Sequence, residues 1–261
     1  MDFGLKGKTA LVLGASGGLG QAIAVALAGE GARVAVAGRN GGALDATIKA
    51  VEAAGSVALP LYWDLADLSA IDSRITAIEQ EFGSVDILVN NTGGPPPSTA
   101  SGQSPETWNK HFQAMVLSVI AVTDRVLPGM REQQWGRIIT STSSGVVAPI
   151  PNLAMSNALR MSLVGWSKTL AREVARDGIT ANIILPGRIA TDRIRFLDES
   201  KAKREGRKVE EVARESTASI PCGRYGDTEE YGSVVAFLAS RQASYITGST
   251  IRVDGGFLAN I

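Results

Sequence analysis

The chain has little of what would point to several specialised classes of protein. It has one cysteine, Cys222, and one histidine, His111, so an internal disulfide is excluded and no soft-ligand metal site is expected. Lysine and arginine together number 26, as do aspartate and glutamate, so the net charge is zero. No apolar run approaches the roughly 20 residues of a membrane span. The sequence therefore predicts no nucleic-acid partner and no membrane partner.

What remains is the composition of an ordinary globular protein. The 261 residues are 44% hydrophobic and 20% charged, enough for a sizeable apolar core. The first residues run directly into an apolar strand-like segment, so we expect no cleavable signal. Together with the single cysteine, this predicts a cytoplasmic location.

Strand-like and helix-like segments alternate along the chain. Strands that alternate with helices of ten or more residues indicate parallel βαβ units. We predict an α/β fold in one domain over residues 1–261, a Rossmann-type doubly wound parallel sheet of about seven strands with helices on both faces. The predicted strands are Thr9–Leu13, Arg33–Ala37, Val57–Leu61, Ile87–Asn90, Arg137–Ser141, Thr180–Leu185 and Thr250–Val253. The predicted helices are Gln21–Ala28, Ala43–Ala54, Leu68–Phe82, Pro105–Met130, Leu153–Ala175 and Thr228–Ala239.

Two segments interrupt this alternation. Residues 90–97 (NNTGGPPP) follow the fourth strand and cannot be helical, because their glycines and prolines predict a rigid, bare loop. Residues 192–216 form a charge-dense helical excursion after the sixth strand. Ligands of open α/β sheets bind outside the carboxyl ends of the strands. The excursion is therefore a candidate substrate lid, called the lid segment below.

The most informative stretch is residues 8–20, KTALVLGASGGLG. An apolar strand breaks into a loop with Gly14, Gly18 and Gly20 and then enters a helix. This arrangement presents bare backbone N–H groups and a helix N-terminus to a phosphate. Because its spacing is Gly-x3-Gly-x-Gly, the loop alone is only a weak indication of a dinucleotide site.

Further motifs follow the glycine loop in a fixed order. They are DL at 64–65, NNTG at 90–93, GRIITSTS at 136–143, NIILPGRIAT at 182–191 and YITGSTIRVDGG at 245–256. From about Leu5 to Gly256 the chain resembles the short-chain dehydrogenase/reductase family, and most closely its bacterial 3-oxoacyl-ACP reductase-like branch. The resemblance implies an oxidoreductase that uses a nicotinamide dinucleotide and assembles as a homo-oligomer, usually a tetramer.

The resemblance also implies which residues bind the cofactor. The glycine loop would hold the diphosphate, the residues after the third strand the adenine, those after the fourth the adenosine ribose, and those after the sixth the nicotinamide side. The residues so implied are Gly14, Ser16, Gly18, Leu19, Gly20, Asp64, Leu65, Asn90, Asn91, Gly93, Pro186, Gly187, Ile189 and Thr191.

The end of the second strand favours NADP over NAD. NAD-preferring members carry an acid at the position of Gly38, where it bonds the ribose 2′-hydroxyl. No acid stands there, and the neighbouring Arg39 is a planar cation that can reach a 2′-phosphate. The alternative for Arg39 is a solvated surface arginine.

The implied catalytic set is incomplete. Members of the family use an Asn, a Ser, a Tyr and a Lys, and the last two stand four residues apart on one helix face. Alignment on residues 165–173 (GWSKTLARE) places Ser156 at the Tyr position and Arg160 at the Lys position. Counts from neighbouring motifs place Ser143 at the Ser position and Met115 at the Asn position. Only the serine is retained.

These replacements change the chemistry that the site can perform. A phenol of pKa about 10 can be tuned toward neutrality by a nearby cation, whereas an aliphatic hydroxyl is a far weaker acid and arginine keeps its proton. We expect Ser143, Ser156 and Arg160 to form the catalytic site and Arg160 also to contact the cofactor ribose. Arg188, Arg193 and Arg195 add positive charge, so we expect an anionic substrate, with the proton supplied by water or by the substrate; the alternative is that these arginines are solvated and balanced by neighbouring acids.

The sequence thus predicts an NADP(H)-dependent oxidoreductase that interconverts a carbonyl and an alcohol with a non-standard active site. One alternative is a catalytically silent or non-redox NADP-binding homologue. Another is an enzyme that keeps the cofactor tightly bound for an epimerisation or elimination. His111 could carry a proton, but we expect it on a helix surface or at an interface.

Overall fold

A computed structural model describes residues 2–261. Seven strands form one parallel sheet in the order β3-β2-β1-β4-β5-β6-β7, which confirms the predicted doubly wound α/β fold. The strands are β1 Thr9–Val12, β2 Arg33–Gly38, β3 Ala58–Tyr62, β4 Ile87–Asn91, β5 Gly136–Ser141, β6 Ile179–Pro186 and β7 Thr250–Val253.

Helices cover both faces of the sheet. They are α1 Gly18–Gly29, α2 Gly41–Ala53, α3 Ile71–Phe82, α4 Pro105–Phe112, α5 Ser118–Glu132, α6 Ala154–Val174, α7 Asp192–Glu205, α8 Val209–Ala218 and α9 Thr228–Ala239. Helices α1, α2 and α9 pack on one face, and α3, α5 and α6 pack on the other.

Strand β1 shows why the sheet has two cores. Its successive side chains point to opposite faces, as the period of two requires. Ala10 and Val12 belong to the core under α1 and α9, while Leu11 belongs to the core under α3 and α5. All three are fully buried, as is Thr9 before them, so the strand is buried along its whole length, as in sheets covered on both sides.

The strand order reverses between β1 and β4, and the reversal positions the functional cleft. The chain moves from β1 outward to β3, then returns to β4 and proceeds in the other direction to β7. The loops after β1 and β4 therefore diverge above the carboxyl edge of the sheet. In open α/β sheets this crevice is where ligands bind.

The helix predicted over Pro105–Met130 is interrupted. A π-helical turn, Gln113–Leu117, separates α4 from α5. By length and composition alone, the continuous stretch Pro105–Glu132 could cross a membrane. In the fold it lies against the domain, with Val119 and Val122 fully buried.

The lid segment consists of α7 and most of α8. Helix α7 ends at Gly206, whose φ of 63° is left-handed and suits a glycine. The helical character predicted for this segment is therefore present, divided between two helices. Its function as a lid stays a prediction.

Candidate functional site

A cleft of about 1290 Å³ runs across the carboxyl edge of the sheet. It extends from the turn between β1 and α1, past the ends of β4 and β5, to α6 and α7. All the site residues predicted from the sequence line this cleft except Gly20 and Asn90. Those that line it are Gly14, Ser16, Gly18, Leu19, Arg39, Asp64, Leu65, Asn91, Gly93, Ser143, Ser156, Arg160, Pro186, Gly187, Ile189 and Thr191.

The turn between β1 and α1 is held by close backbone contacts. Gly14 has a φ of 60°, and a Cβ there would collide with the Asn91 carbonyl oxygen. The Asn91 side chain donates from Nδ2 to the carbonyl oxygens of Leu13 and Gly14, at 3.3 and 3.2 Å. Asn91 thus fastens the turn to the neighbouring strand β4.

Gly20 and Asn90 do not line the cleft, and each has a structural role; their assignment as cofactor contacts stays a prediction. A Cβ on Gly20 would collide with the Gly14 carbonyl oxygen, so Gly20 allows α1 to pack on the turn. Asn90 is 1% exposed and donates from Nδ2 to the hydroxyls of Thr123 and Thr140, both at 3.3 Å. Because neighbouring residues of a strand face opposite ways, Asn91 reaches the turn and Asn90 does not.

The start of α1 leaves donors free for an anion. Gly17 occupies the N-cap position without a side-chain capping bond, and the first turn contains no acidic residue. The first N–H groups of a helix have no intrahelical partner, so these can donate to a phosphate. Ser16 adds a buried hydroxyl that has no hydrogen-bond partner among residues 2–261. These features fit the diphosphate of a dinucleotide.

The end of β2 carries no acidic side chain, and Ser16 lies against it. A Cβ on Gly38 would collide with the Ser16 Oγ atom. The Arg39 side chain is 74% exposed and lies 3.9 Å from an Asp64 carboxylate oxygen, too far for a firm ion pair. Its guanidinium is therefore available at the rim of the cleft, which fits a 2′-phosphate.

Ser143 and Ser156 both line the cleft, the first from the end of β5 and the second from α6. Ser143 follows β5 and caps a short 3₁₀ turn by accepting the Gly145 N–H at 3.1 Å. Its hydroxyl hydrogen remains free to donate. Ser156 lies in the first turns of α6 and is 7% exposed.

Arg160 lies one helical turn after Ser156 and is buried. Its guanidinium donates to the carbonyl oxygens of Ser141, Thr92 and Gly93, at 3.3, 3.1 and 3.2 Å. Burial, together with the positive charge of Arg193, lowers the pKa of Arg160 to about 10. At neutral pH the group is still a cation, directed at the loop after β4.

The three arginines predicted near the mouth of the cleft differ in their surroundings. Arg188 pairs with Asp198 at 3.4 Å, and Arg195 pairs with Asp192 at 2.8 Å and does not line the cleft. Arg193 lines the cleft and donates to the Pro95 carbonyl oxygen at 2.8 Å. Arg193 therefore adds positive charge to the cleft as expected, whereas Asp192 neutralises Arg195 outside the cleft.

No tyrosine lines the cleft among the described residues. Tyr231 is fully buried beneath it and shares a 2.8 Å hydrogen bond with the Ser141 hydroxyl. Burial raises the pKa of Tyr231, which makes its phenol a weaker acid. Tyr225 donates to the Asp198 carboxylate at 2.6 Å, which links the loop before α9 to α7.

The cleft is also lined by residues that the sequence did not place at the site. His111 and Lys110 line it from α4, where His111 is partly exposed. Burial, followed by the charge of Lys110, lowers the pKa of His111. Trp63, which is 3% exposed, lines the cleft beside Asp64. The helical spacing between His111 and Met115, four residues, could have indicated that they share a face.

Comparison with known proteins agrees with this geometry. The sequence pattern of a family described as Enoyl-(Acyl carrier protein) reductase matches residues 14–258. The chain belongs to the short-chain dehydrogenase/reductase family. It is 39% identical over 254 residues to the 3-oxoacyl-(acyl-carrier-protein) reductase FabG of Salmonella typhimurium, covering 96% of this chain and 97% of that protein.

Two further short-chain relatives extend the comparison. The D-beta-hydroxybutyrate dehydrogenase of Cupriavidus necator is 35% identical over 259 residues, covering 98% of this chain and 99% of the relative. The crystal structure of L-sorbose reductase from Gluconobacter frateurii, complexed with NADPH and L-sorbose, matches with a TM-score of 0.94, 32% identity and full coverage of both chains. These short-chain relatives are oxidoreductases acting on alcohols or carbonyls.

Proposed function

We propose that the chain is an NADP(H)-dependent short-chain oxidoreductase, 3-oxoacyl-ACP reductase-like, that interconverts a carbonyl and an alcohol on an anionic substrate. One observation carries the proposal. A single cleft joins the glycine turn before α1 to Ser143 at the end of β5, so a dinucleotide bound along it would reach the retained serine.

The preference for NADP rests on the end of β2. Gly38 stands where an acid would bond a ribose 2′-hydroxyl, and the Ser16 hydroxyl lies next to it. Arg39 supplies a largely exposed guanidinium next to it, and guanidinium groups bind phosphate bidentately. The NADPH in the Gluconobacter structure is consistent with this preference.

Each retained or replaced residue has a defined role in the proposed reaction. NADPH, when bound, supplies a hydride to the carbonyl carbon. The Ser143 hydroxyl donates to the carbonyl oxygen, and the buried Arg160 cation stabilises the negative charge that develops there. The proton that completes the alcohol comes from water or from the substrate, because Ser156 is too weak an acid to supply it.

The anionic substrate rests on the balance of charge in the cleft. Asp192, Asp198 and Glu205 line it and each pairs with an arginine, while Asp64, which also lines it, lies 3.9 Å from Arg39. Arg160 and Arg193 also line it, and neither forms an ion pair within residues 2–261. The unbalanced charge facing the ligand is therefore positive.

A silent NADP-binding protein is the second candidate. It is favoured by the Arg160 guanidinium, which spends three N–H donors on backbone carbonyls and so has few left for a ribose. In this alternative the fold binds the cofactor without turnover. The cytoplasmic location, the homotetramer, the single domain and the lid function of residues 192–216 remain predictions.

Absorbance at 340 nm separates these candidates. Purified protein is mixed with NADPH or NADH and a panel of neutral and anionic carbonyl compounds, beside a Ser156→Tyr/Arg160→Lys variant. Turnover by the native chain that needs NADPH and favours anionic compounds supports the proposal. NADPH binding without turnover, with activity only in the variant, would establish the silent protein.

A further inference from the structure

Arg193 lies in the first turn of α7 and turns its side chain into the cleft. Its guanidinium packs against Gly94 so closely that a Cβ there would lie 3.0 Å from Nη2. One N–H of Nη2 donates to the Pro95 carbonyl oxygen, and the guanidinium carbon lies 5.7 Å from the ring centroid of Phe196. The side chain is thus held in place from two sides.

Most of the hydrogen-bonding capacity of Arg193 is unused. A guanidinium has five N–H donors in a planar fork, and the Pro95 carbonyl is the one acceptor that residues 2–261 provide for Arg193. Arg160 differs, because three backbone carbonyls already hold it. Arg160, Arg193 and the exposed Lys110 line the cleft without an acid within ion-pair distance among residues 2–261. Of the two arginines, Arg193 therefore has the donors left for a ligand.

The neighbouring arginines show that the lack of an acidic partner is a property of position 193. Arg195, two residues later, faces away because residues two apart in a helix point in different directions. It pairs with Asp192 and its side chain is 68% exposed. Arg188 is balanced by Asp198, which also accepts the Tyr225 hydroxyl. The fold neutralises both neighbours and leaves Arg193 without an acid.

A partly buried cation without a counterion is costly, and an anionic ligand offsets that cost. Arg160 adds a second uncompensated charge, and burial lowers the pKa of both guanidinium groups. A planar fork with free donors matches a carboxylate, which accepts two parallel N–H bonds. The contacts with Gly94 and Pro95 place Arg193 beyond Gly93 on the loop after β4, rather than at the glycine turn before α1.

We propose that Arg193 binds the carboxylate of the substrate, so that the substrates of this cleft are oxo acids and the corresponding hydroxy acids. The redox half of this statement rests on the proposed function, whereas carboxylate binding does not. Arg193 is then a specificity-determining residue, because a neutral ketone of the same size leaves its donors unpaired.

The test compares acids with their neutral isosteres. Full-length protein saturated with NADP⁺ is titrated with pyruvate, 2-oxobutyrate and acetoacetate, and with the methyl ester of each, by calorimetry. The native chain is expected to bind at least one acid about tenfold or more tightly than its ester, since a hydrogen bond to a charged group is worth roughly that factor. Arg193→Gln should abolish the preference, while Arg195→Gln should keep it.

Several results would overturn the assignment. They are equal binding of acids and esters by the native chain, no binding of any acid, or an unchanged preference in Arg193→Gln. Weaker NADP⁺ binding by Arg193→Gln, with the acid preference intact, would assign Arg193 to a cofactor phosphate instead. If the acids bind as expected but NADPH is never oxidised, carboxylate recognition stands and the proposed redox function fails.

Discussion

The two halves of the cleft are built in different ways. In the cofactor half, meaning the turn at residues 14–20 with the end of β2, Gly14 and Gly20 are required because a Cβ at either position would collide with a backbone carbonyl oxygen. In the reacting half, meaning Ser143, Ser156, Arg160 and Arg193, the side chains of Ser143, Arg160 and Arg193 bond to backbone groups. The cofactor half therefore allows few residue types at its glycine positions. In the reacting half, the side chains and the chemistry they perform can change while the fold stays the same.

The largest expected effect lies in the cofactor half. Gly20→Ala should destabilise the protein by about 3 kcal/mol, because the added Cβ meets the Gly14 carbonyl and forces the backbone apart. Chemical unfolding measures the change. Gly29→Ala, at the other end of α1, meets nothing within 4 Å and should be neutral or stabilising by about 0.5 kcal/mol. Equal losses in both variants would remove the role assigned to close packing.

Cofactor choice gives the next largest effect. Ser16→Gly/Gly38→Asp should lower NADPH affinity about 100-fold and improve NADH affinity, because the new carboxylate repels a 2′-phosphate and bonds a 2′-hydroxyl. Fluorescence titration with both cofactors measures the switch. Gly38→Asp alone should weaken both cofactors, since its Cβ collides with Ser16 Oγ. An unchanged NADPH preference in the double variant would contradict the assignment of the end of β2 as the region that selects the cofactor.

A moderate effect is expected beneath the reacting half. Tyr231→Phe should cost about 1–2 kcal/mol of stability, because it leaves the buried Ser141 hydroxyl without its 2.8 Å partner. Since the Ser141 carbonyl also accepts from Arg160, substrate affinity should weaken as well. The matched control is Tyr245→Phe, on a fully exposed tyrosine, which should change stability by less than about 0.5 kcal/mol. Identical unfolding midpoints for the two variants would rule out a stabilising role for the hydrogen bond between Tyr231 and Ser141.

The smallest effect concerns the rim of the cleft. His111 has a pKa below its usual 6.5 in the folded chain, so the unfolded chain binds the proton more readily. Its contribution to stability is therefore present above pH 6.5 and lost as the pH falls through the lower folded value. The untagged chain has one histidine, so a single imidazole signal reports the pKa by NMR. His111→Gln should remove this acid-dependent loss of stability. A folded pKa above 6.5 would reverse the sign of the predicted pH dependence.

Some of the fold was predictable to the residue. The bounds of β7 and α9 match the sequence prediction, since polar and turn residues mark their ends. The break between α4 and α5 was not predictable, because Gln113–Leu117 continues a helical pattern of apolar residues. A π turn changes hydrogen bonding without changing that pattern.

The candidate site was predictable only where the position of a residue in its strand or helix fixes the direction of its side chain. Asn90 and Asn91 are adjacent in one motif, yet the strand sends them to opposite faces. Arg193 and Arg195 both stand at the start of the lid segment, yet only the first enters the cleft. Arg195 pairs with Asp192, whereas Arg193 bonds to the Pro95 carbonyl and keeps its charge unpaired. The second contact could not be predicted, because Pro95 is distant from Arg193 in the sequence.

Transfer of deuterium tests the central claim most directly. Native protein is incubated with NADPH carrying deuterium at the transferable C4 position and with the oxo acid that binds best, and the product is examined by mass spectrometry. The proposed function predicts a hydroxy acid one mass unit heavier, with deuterium on the carbinol carbon, and a rate greatly reduced in Ser143→Ala. Tight NADPH binding with no deuterium in any product would contradict it and leave a dinucleotide-binding protein without redox chemistry.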